Sequence, residues 1–599
     1  MGSTSAGHRL VDYLSGMKIS FMKNPAGYLL LSVVFCCMSG ALNGQSLPHL
    51  MTPSERAAMP AYLLSRTGSS SAISTPPASP VRTMAEWEEL QGLLITWTSY
   101  QSILKEIVRY AKEETRVYVV CSSPSTVISY LNSNGIDTVN VTFLQFPFNS
   151  VWSRDYGPWS AYTNDVDTLL TIDWIYNRPR PNDDNIPVLL GNYLNTLVYQ
   201  TNTAPWNLIH TGGNFMTDGF GTGFSSHLIL DENPSKTEPQ IDSIMNLFMG
   251  INRYIKMNTL PYDQIHHIDM HMKLLDEETI LMGQYPPGVA DGPQIEANLL
   301  YVINNFNSVF GTPYKVVRIP MPDDGGQYPG NGGRYFTYTN SSFVNKTVIV
   351  PAYNIPSDTT ALRIYRDALP GYKVYGINSL ASIGALGSLH CITKEIGTND
   401  PLLISHQPLP DTYDDVNPYT VNAYMKHRSG ISNATLWYRT DTLQPYLPVV
   451  MSPAAMANQW QADIPAHPIG TTIYYYVHAE SVSGKEQVRP MPAPDGYWKF
   501  DVLGVGSTGL NNLVQASLQP AFPNPSKGIT CIPVTLTAPG YLEVSVSDIL
   551  SRNTAVIHKG DVPAGESMYF IDTKDFASGV YVISLQFNGQ VIRQPLVVR

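Results

Sequence analysis

Charge is the first thing this sequence is short of. Only 14% of its 599 residues are Asp, Glu, Lys or Arg, where a globular chain usually carries about a quarter. The net charge of −11 is spread without a block of either sign. That excludes the basic stripe a nucleic-acid partner requires, and its sign suits a cationic substrate. Cysteine is scarce as well, with five in the whole chain. Cys36 and Cys37 sit in an N-terminal apolar stretch, so Cys121, Cys391 and Cys531 remain, far apart. No disulfide framework and no zinc-ligand spacing can be drawn from them. No apolar run is long enough to span a bilayer.

What is present begins with Lys18 and Lys23, ahead of the apolar run Tyr28–Leu42 and the small residues Ser39, Ala41 and Gly44. This is a signal-peptide pattern over 1–44, with Met22 the expected start. It implies a secreted chain with no transmembrane segment once mature, in which a single free thiol is a candidate reactive group. Hydrophobic residues make up 43% of the chain, and the length predicts three or four domains. Residues 45–82, rich in Pro, Ser and Ala, read as a pro-segment or flexible lead, with order starting near Met84. Over 83–402 strand and helix signals alternate. Leu93–Trp97 reads as a strand, and Ile103, Leu104, Ile107, Val108 and Ala111 share one helix face. The class is α/β or α+β. No internal sequence repeat stands out. Over 403–503 aromatic and β-branched runs such as Thr471–Ala479 predict a β-sandwich. A linker at 504–515 precedes a last β-module at 516–599.

Four segments of the α/β region hold the residues that carry chemistry. They are Val151-Trp-Ser-Arg-Asp-Tyr-Gly-Pro-Trp159, Thr211-Gly-Gly-Asn-Phe-Met-Thr-Asp-Gly219, His266-His-Ile-Asp-Met-His271 and Gly384-Ala-Leu-Gly-Ser-Leu-His-Cys391. Together, and in this order, they resemble the guanidine-modifying superfamily. Within it they are most similar to agmatine deiminases and to the secreted, Porphyromonas-type peptidylarginine deiminases. The resemblance covers about 320 residues. It implies a five-bladed α/β propeller (the pentein-like fold) as catalytic domain, followed by an immunoglobulin-like β-sandwich.

A guanidinium is planar, cationic and a poor electrophile. Carboxylates hold it through short charge-assisted bonds, a thiolate is the best available nucleophile, and ammonia leaves only with a proton from a general acid. On the matching positions the resemblance assigns guanidinium pairing to Asp155 and Asp269, nucleophilic attack to Cys391 and acid–base work to His267. Asn340, in Tyr-Thr-Asn-Ser, matches a further active-site position more loosely. Strand alternation would point His267, Asp269 and His271 to one face and His266 away. The same spacing could hold a metal, and His271 is also read as a structural histidine. Gly212 and Gly213 are either hinges or close approaches to substrate. Trp152 belongs to the expected substrate contacts. Cys121 is expected in the core.

Arg178 and Arg180, in Tyr176-Asn-Arg-Pro-Arg-Pro181, read as a fork for a carboxylate or as a solvated basic turn. In the resembling secreted deiminases such a pair grips the carboxylate of a C-terminal arginine, a group agmatine lacks. The resemblance implies no cofactor, no metal and no calcium requirement. The tail segments Pro523-Asn-Pro-Ser-Lys-Gly528 and Ser578-Gly-Val-Tyr-Val-Ile-Ser584 resemble the C-terminal sorting domain of type IX secretion. They imply that machinery as a partner and an all-β module, with delivery to the outer-membrane surface or beyond after both ends are removed. Arginine in peptides or proteins is the expected substrate. An agmatine deiminase, an amidinotransferase and an inactive surface adhesin are the competing readings.

Overall fold

Thr52-Pro-Ser-Glu55 is a helix-start signature, with a hydroxyl at the cap, Pro in the first turn and Glu three residues on. In the computed structural model, which describes residues 47–66, 72–504, 516–548, 552–562, 564–588 and 590–599, it starts the helix Pro53–Ser65. The Thr52 amide donates to Glu55 Oε2 at 2.8 Å and the Glu55 amide to Thr52 Oγ1 at 3.2 Å. This corrects the expectation of a structureless lead up to Met84: described order starts at Leu47, and the strand Val81–Thr83 precedes Met84. The composition of 45–82 hid a short capped helix. The expected signal peptide lies outside the described residues, as does nearly all of the 504–515 linker.

Beyond residue 80 the chain repeats one topology: two antiparallel strands, a helix, then a strand parallel to the second. It forms Trp159–Thr163 and Leu169–Tyr176, then Ile186–Leu194, then Leu197–Thr201. It recurs as Met216–Thr217 and Thr222–Ser226, Glu238–Met249, Arg253–Met257. A third unit is Met272–Leu274 and Thr279–Gln284, Gly292–Asn305, Lys315–Pro320. A fourth is Ser342–Val344 and Thr347–Ala352, Ser357–Ala368, Lys373–Asn378. The fifth joins the two ends of the region. Lys394–Gly397 pairs antiparallel with Leu90–Thr96, which leads through Gln101–Ala111 to the parallel strand Arg116–Val120. Parallel neighbours require such a helical crossover. The helix Gln101–Ala111 buries Ile103, Leu104, Ile107, Val108 and Ala111, the face its spacing predicts.

Residues Leu403–Asp501 form two antiparallel sheets around a common core. Along Thr472–Ser481 alternate residues Ile473, Tyr475, Val477 and Ala479 are buried, the period-two pattern of a sheet with one face inward. The tail, from Ala516, is all-β, with two antiparallel sheets around Ile532, Val544, Ile583 and Leu585.

Candidate active site

Each repeated unit is entered through a short non-strand segment, and the catalytic candidates Asp155, His267, Asp269, Asn340 and Cys391 sit in or at the edge of these segments. Ser153–Tyr156, with Asp155, leads into the strand Trp159–Thr163. Gly212–Asn214 leads into Met216–Thr217, and Ile268–Met270, with Asp269, into Met272–Leu274. Asn340 lies two residues ahead of Ser342–Val344, and His390–Ile392, with Cys391, precedes Lys394–Gly397. Five positions separated by up to 236 residues are thereby brought to one place; the Arg154 guanidinium, for example, donates to the His390 carbonyl.

The expected strand through His267, Asp269 and His271 is not formed. Ile268–Met270 is a single 3-10 turn with His267 at its cap and His271 just past its end. The turn, not strand alternation, delivers His267 and Asp269 to the site. Both ring nitrogens of His271 are buried without a hydrogen-bond partner. His266 adopts a left-handed backbone, with φ of 59°.

Cys391 is fully buried. Its Sγ lies 3.3 Å from Asn340 Nδ2 and 3.8 Å from Asp269 Oδ2. Asn340 Oδ1 accepts from the His390 amide at 3.1 Å and the Cys391 amide at 3.4 Å, so this one side chain fixes the turn and touches the sulfur. Burial pushes the thiol well above its usual range, and the carboxylates of Asp269 and Asp155 push the same way. His267 is fully buried, which lowers it to about 4 against the opposing pull of Asp155 and Asp269; its Nδ1 stands 3.5 Å from Asp155 Oδ1. Burial alone would raise Asp155, but its two histidine neighbours, His49 and His267, hold it below the usual carboxylate range. Asp155 Oδ1, Asp269 Oδ1 and His267 Nδ1 are buried with no hydrogen-bond partner. Unpaired buried polar atoms are rare and costly, and here two carboxylates each offer one free oxygen.

The glycines act by being small. A Cβ on Gly213 would lie 2.3 Å from His267 Nδ1 and 3.2 Å from Asp155 Oδ1, and one on Gly212 would lie 2.0 Å from the Arg154 carbonyl. Gly387 does the same beside the thiol, since a Cβ there would come within 2.4 Å of the Trp152 ring and 3.2 Å of both Cys391 Cβ and His49 Nδ1.

Several side chains of the site had no role assigned from the sequence. His390 bridges two carboxylates, with Nδ1 2.7 Å from Asp269 Oδ2 and Nε2 2.6 Å from Glu86 Oε1. Glu86 also accepts from Lys273 at 2.7 Å, and Arg154 pairs with Glu395 at 2.7 Å. A second group comes from the N-terminal segment. The His49 ring stacks on Trp152 at 4.0 Å and 9°, and its Nε2 lies 2.6 Å from Asp155 Oδ2. Trp152 Nε1 donates to the Leu47 carbonyl at 3.1 Å, Arg178 Nε to the His49 carbonyl at 3.0 Å, and Arg180 Nη2 to the Pro48 carbonyl at 2.6 Å. Arg180 also grips the Glu55 carboxylate with both arms, at 2.7 and 3.3 Å. Arg178 and Arg180 are buried, so neither belongs to a solvated turn. Thr52-x-x-Glu55 was the one legible signal for this segment.

His49, Asp155 and His267 place ligand atoms within 4.8 Å of one another, a set that could hold a metal ion. It differs from the His267, Asp269 and His271 set considered from spacing.

Residues 82–396 match the family model of Porphyromonas-type peptidyl-arginine deiminase, and residues 520–599 match that of the secretion system C-terminal sorting domain. Two proteins that carry the name "Putative agmatine deiminase" align with about half of the chain. The one from Vibrio parahaemolyticus is 22% identical over 346 residues, which is 52% of this chain and 95% of the relative. The one from Streptomyces avermitilis is 21% identical over 355 residues, 54% of this chain and 99% of the relative. Among solved structures, the agmatine deiminase of C. jejuni superposes with a TM-score of 0.45 at 23% identity, over 53% of this chain and 96% of its own. That of Enterococcus faecalis gives 0.48 at 18%, over 55% and 100%. The sorting-domain match indicates type IX secretion to the cell surface or the extracellular space. Among the described residues no helix is long and apolar enough to cross a membrane. With just over half its length inside the family model and a mixed α/β catalytic region ending in an all-β sorting module, the chain belongs to the Porphyromonas-type peptidyl-arginine deiminase family, whose members are guanidine-group deiminases, hydrolases of C–N bonds.

Proposed function

We propose that the protein hydrolyses the guanidinium of peptide-bound arginine, preferentially at a peptide C-terminus, to citrulline and ammonia. The observation that carries this reading is the pair of unpaired oxygens, Asp155 Oδ1 and Asp269 Oδ1, buried with the sulfur of Cys391. A planar cation bonded to both would present its central carbon to the thiol. It would also neutralise the carboxylates that keep the thiol protonated.

In the proposed sequence the Cys391 proton passes to neutral His267 and the thiolate adds to the guanidinium carbon. The C–N bond then breaks, and His267 returns the proton so that ammonia leaves, giving a covalent thiouronium on Cys391. A water then adds to the same carbon as His267 takes its proton. The C–S bond breaks, His267 returns that proton to the sulfur, and citrulline departs as its hydroxyl proton goes to the released ammonia. Net consumption is one water per arginine. The five units read as blades of a propeller with the site at their turns, and the two-sheet module as an immunoglobulin-like domain.

Support for a C-terminal arginine is the two-armed grip of Arg180 on a carboxylate, that of Glu55. Agmatine is the second reading, favoured by the names of the curated relatives. The test is citrulline and ammonia release from a peptide ending in arginine, from the same peptide amidated, and from agmatine. Cys391→Ala, His267→Ala and Asp269→Ala should each abolish turnover. Equal rates on the acid and the amide, or preference for agmatine, reject the substrate assignment.

A further inference from the structure

The segment Leu47–Arg66 is held unlike a part of the fold. Its helix of 13 residues buries only Tyr62, carries Pro60 in its interior and leaves Leu64 78% exposed. A helix gains most of its stability from a packed apolar face, and this one has almost none. Apart from Leu50, which packs on the core, the segment is fixed at three polar points, the first two of which engage groups of the site or the Arg178 and Arg180 pair beside it. His49 pairs with Asp155 and stacks on Trp152. Glu55 fills the Arg180 fork, while the carbonyls of Leu47, Pro48 and His49 take the donors of Trp152, Arg180 and Arg178. Tyr62 and Arg66 both pair with Asp184, the latter at 2.5 Å.

The chemistry of the first two points copies a substrate. The His49 imidazole is a flat nitrogen ring set against a carboxylate and an indole face, as a guanidinium would be. Glu55 supplies the carboxylate. The carbonyls of Leu47, Pro48 and His49 add main-chain acceptors beside the ring. With it in place Cys391, Trp152 and His267 have no solvent exposure.

We propose that Leu47–Arg66 is a built-in substrate mimic that keeps the enzyme latent. It occupies a peptide-binding row, Trp152–Arg178–Arg180, that reads main-chain carbonyls and one carboxylate. The row therefore takes a peptide of several residues with an acidic group, and displacement or removal of the segment opens it. The opening of the site does not depend on the deiminase reading; only the activity it releases does.

The test uses the full chain, unsubstituted and as His49→Gly, Glu55→Gln and the double variant. Glu55→Gln keeps the capping box while removing the charge paired with Arg180. The first readout is the rate of iodoacetamide capture at Cys391, with buried Cys121 and Cys531 as internal reporters of unfolding. The second is citrulline from a peptide ending in arginine. The third is inhibition of the double variant by synthetic Leu47–Arg66 peptide and by the same peptide carrying His49→Ala. Loss of a charge-assisted contact predicts a rise on the order of tenfold per substitution in both rates, with Cys121 and Cys531 still protected. The peptide should compete with substrate and its His49→Ala form should not. Equal Cys391 capture in all chains, or variants that lose activity, overturns the proposal. Faster Cys391 capture without citrulline from any chain upholds the mimic and rejects the deiminase assignment.

Discussion

Gly213→Ala tests whether the site depends on its turns as tightly as the geometry requires. The added methyl carbon would stand 2.3 Å from His267 Nδ1 and 3.0 Å from its Cγ, where carbon and its neighbours normally rest at about 3.5 Å or more. The imidazole would have to retreat by roughly 1 Å, a displacement that costs on the order of a hundredfold in rate when it moves a reacting group. Asp155 Oδ1, 3.2 Å from the same position, would be nudged as well. Overpacking of this kind costs about 1–3 kcal/mol of stability, which a domain of this size survives. The assay is kcat on a peptide ending in arginine, in a His49→Gly background so that the leader imidazole is gone, together with thermal unfolding. A kcat within about threefold of the parent, in a folded chain, would refute the claim that this glycine keeps room for the His267 ring. Gly212→Ala meets backbone instead, 2.0 Å from the Arg154 carbonyl, and should fail at the level of folding rather than kcat.

Three further outcomes are expected. Asn340→Ala removes the acceptor of two buried amides and the donor to the sulfur; it should lower kcat by about tenfold or more and move the pH profile of Cys391 alkylation upward. Glu86→Gln leaves Lys273 without its carboxylate and His390 with Asp269 alone and should lower unfolding free energy by about 3 kcal/mol in denaturant titration. His271 is lowered from 6.5 to about 4 by burial, only partly offset by Asp269, so the unfolded chain binds more protons between those values. Its contribution is complete above about pH 6.5 and is lost on acidification toward 4, by up to about 3 kcal/mol. The stability gap between the parent and His271→Asn should therefore narrow as pH falls through that window, and a constant gap would contradict a neutral buried ring.

The residues that the fold brings together were legible because their motifs are local. Arg-Asp, Gly-Gly-Asn, His-x-Asp and His-Cys each lie within one turn, so residue type and order carried them. The reason for their convergence was not legible. First strands as short as Met216–Thr217 leave no periodic trace, so a topology used five times shows no repeat in the sequence. The strand reading of His267–His271 failed because alternation of polar and apolar residues also fits a single 3-10 turn between strands. His49 and Glu86 carried no signal, since each lies outside the four motifs and has a partner 106 or 304 positions away.

Closure of the α/β region by its last strand also orders events during synthesis. Lys394–Gly397 is the partner of Leu90–Thr96, and Cys391 lies three residues before it. A nascent chain thus emerges with its acidic and imidazole groups made but neither its sulfur nor the strand that seats it. Until nearly the whole region has been made, the chain therefore lacks the thiol to which the proposed reaction assigns the attack on the guanidinium.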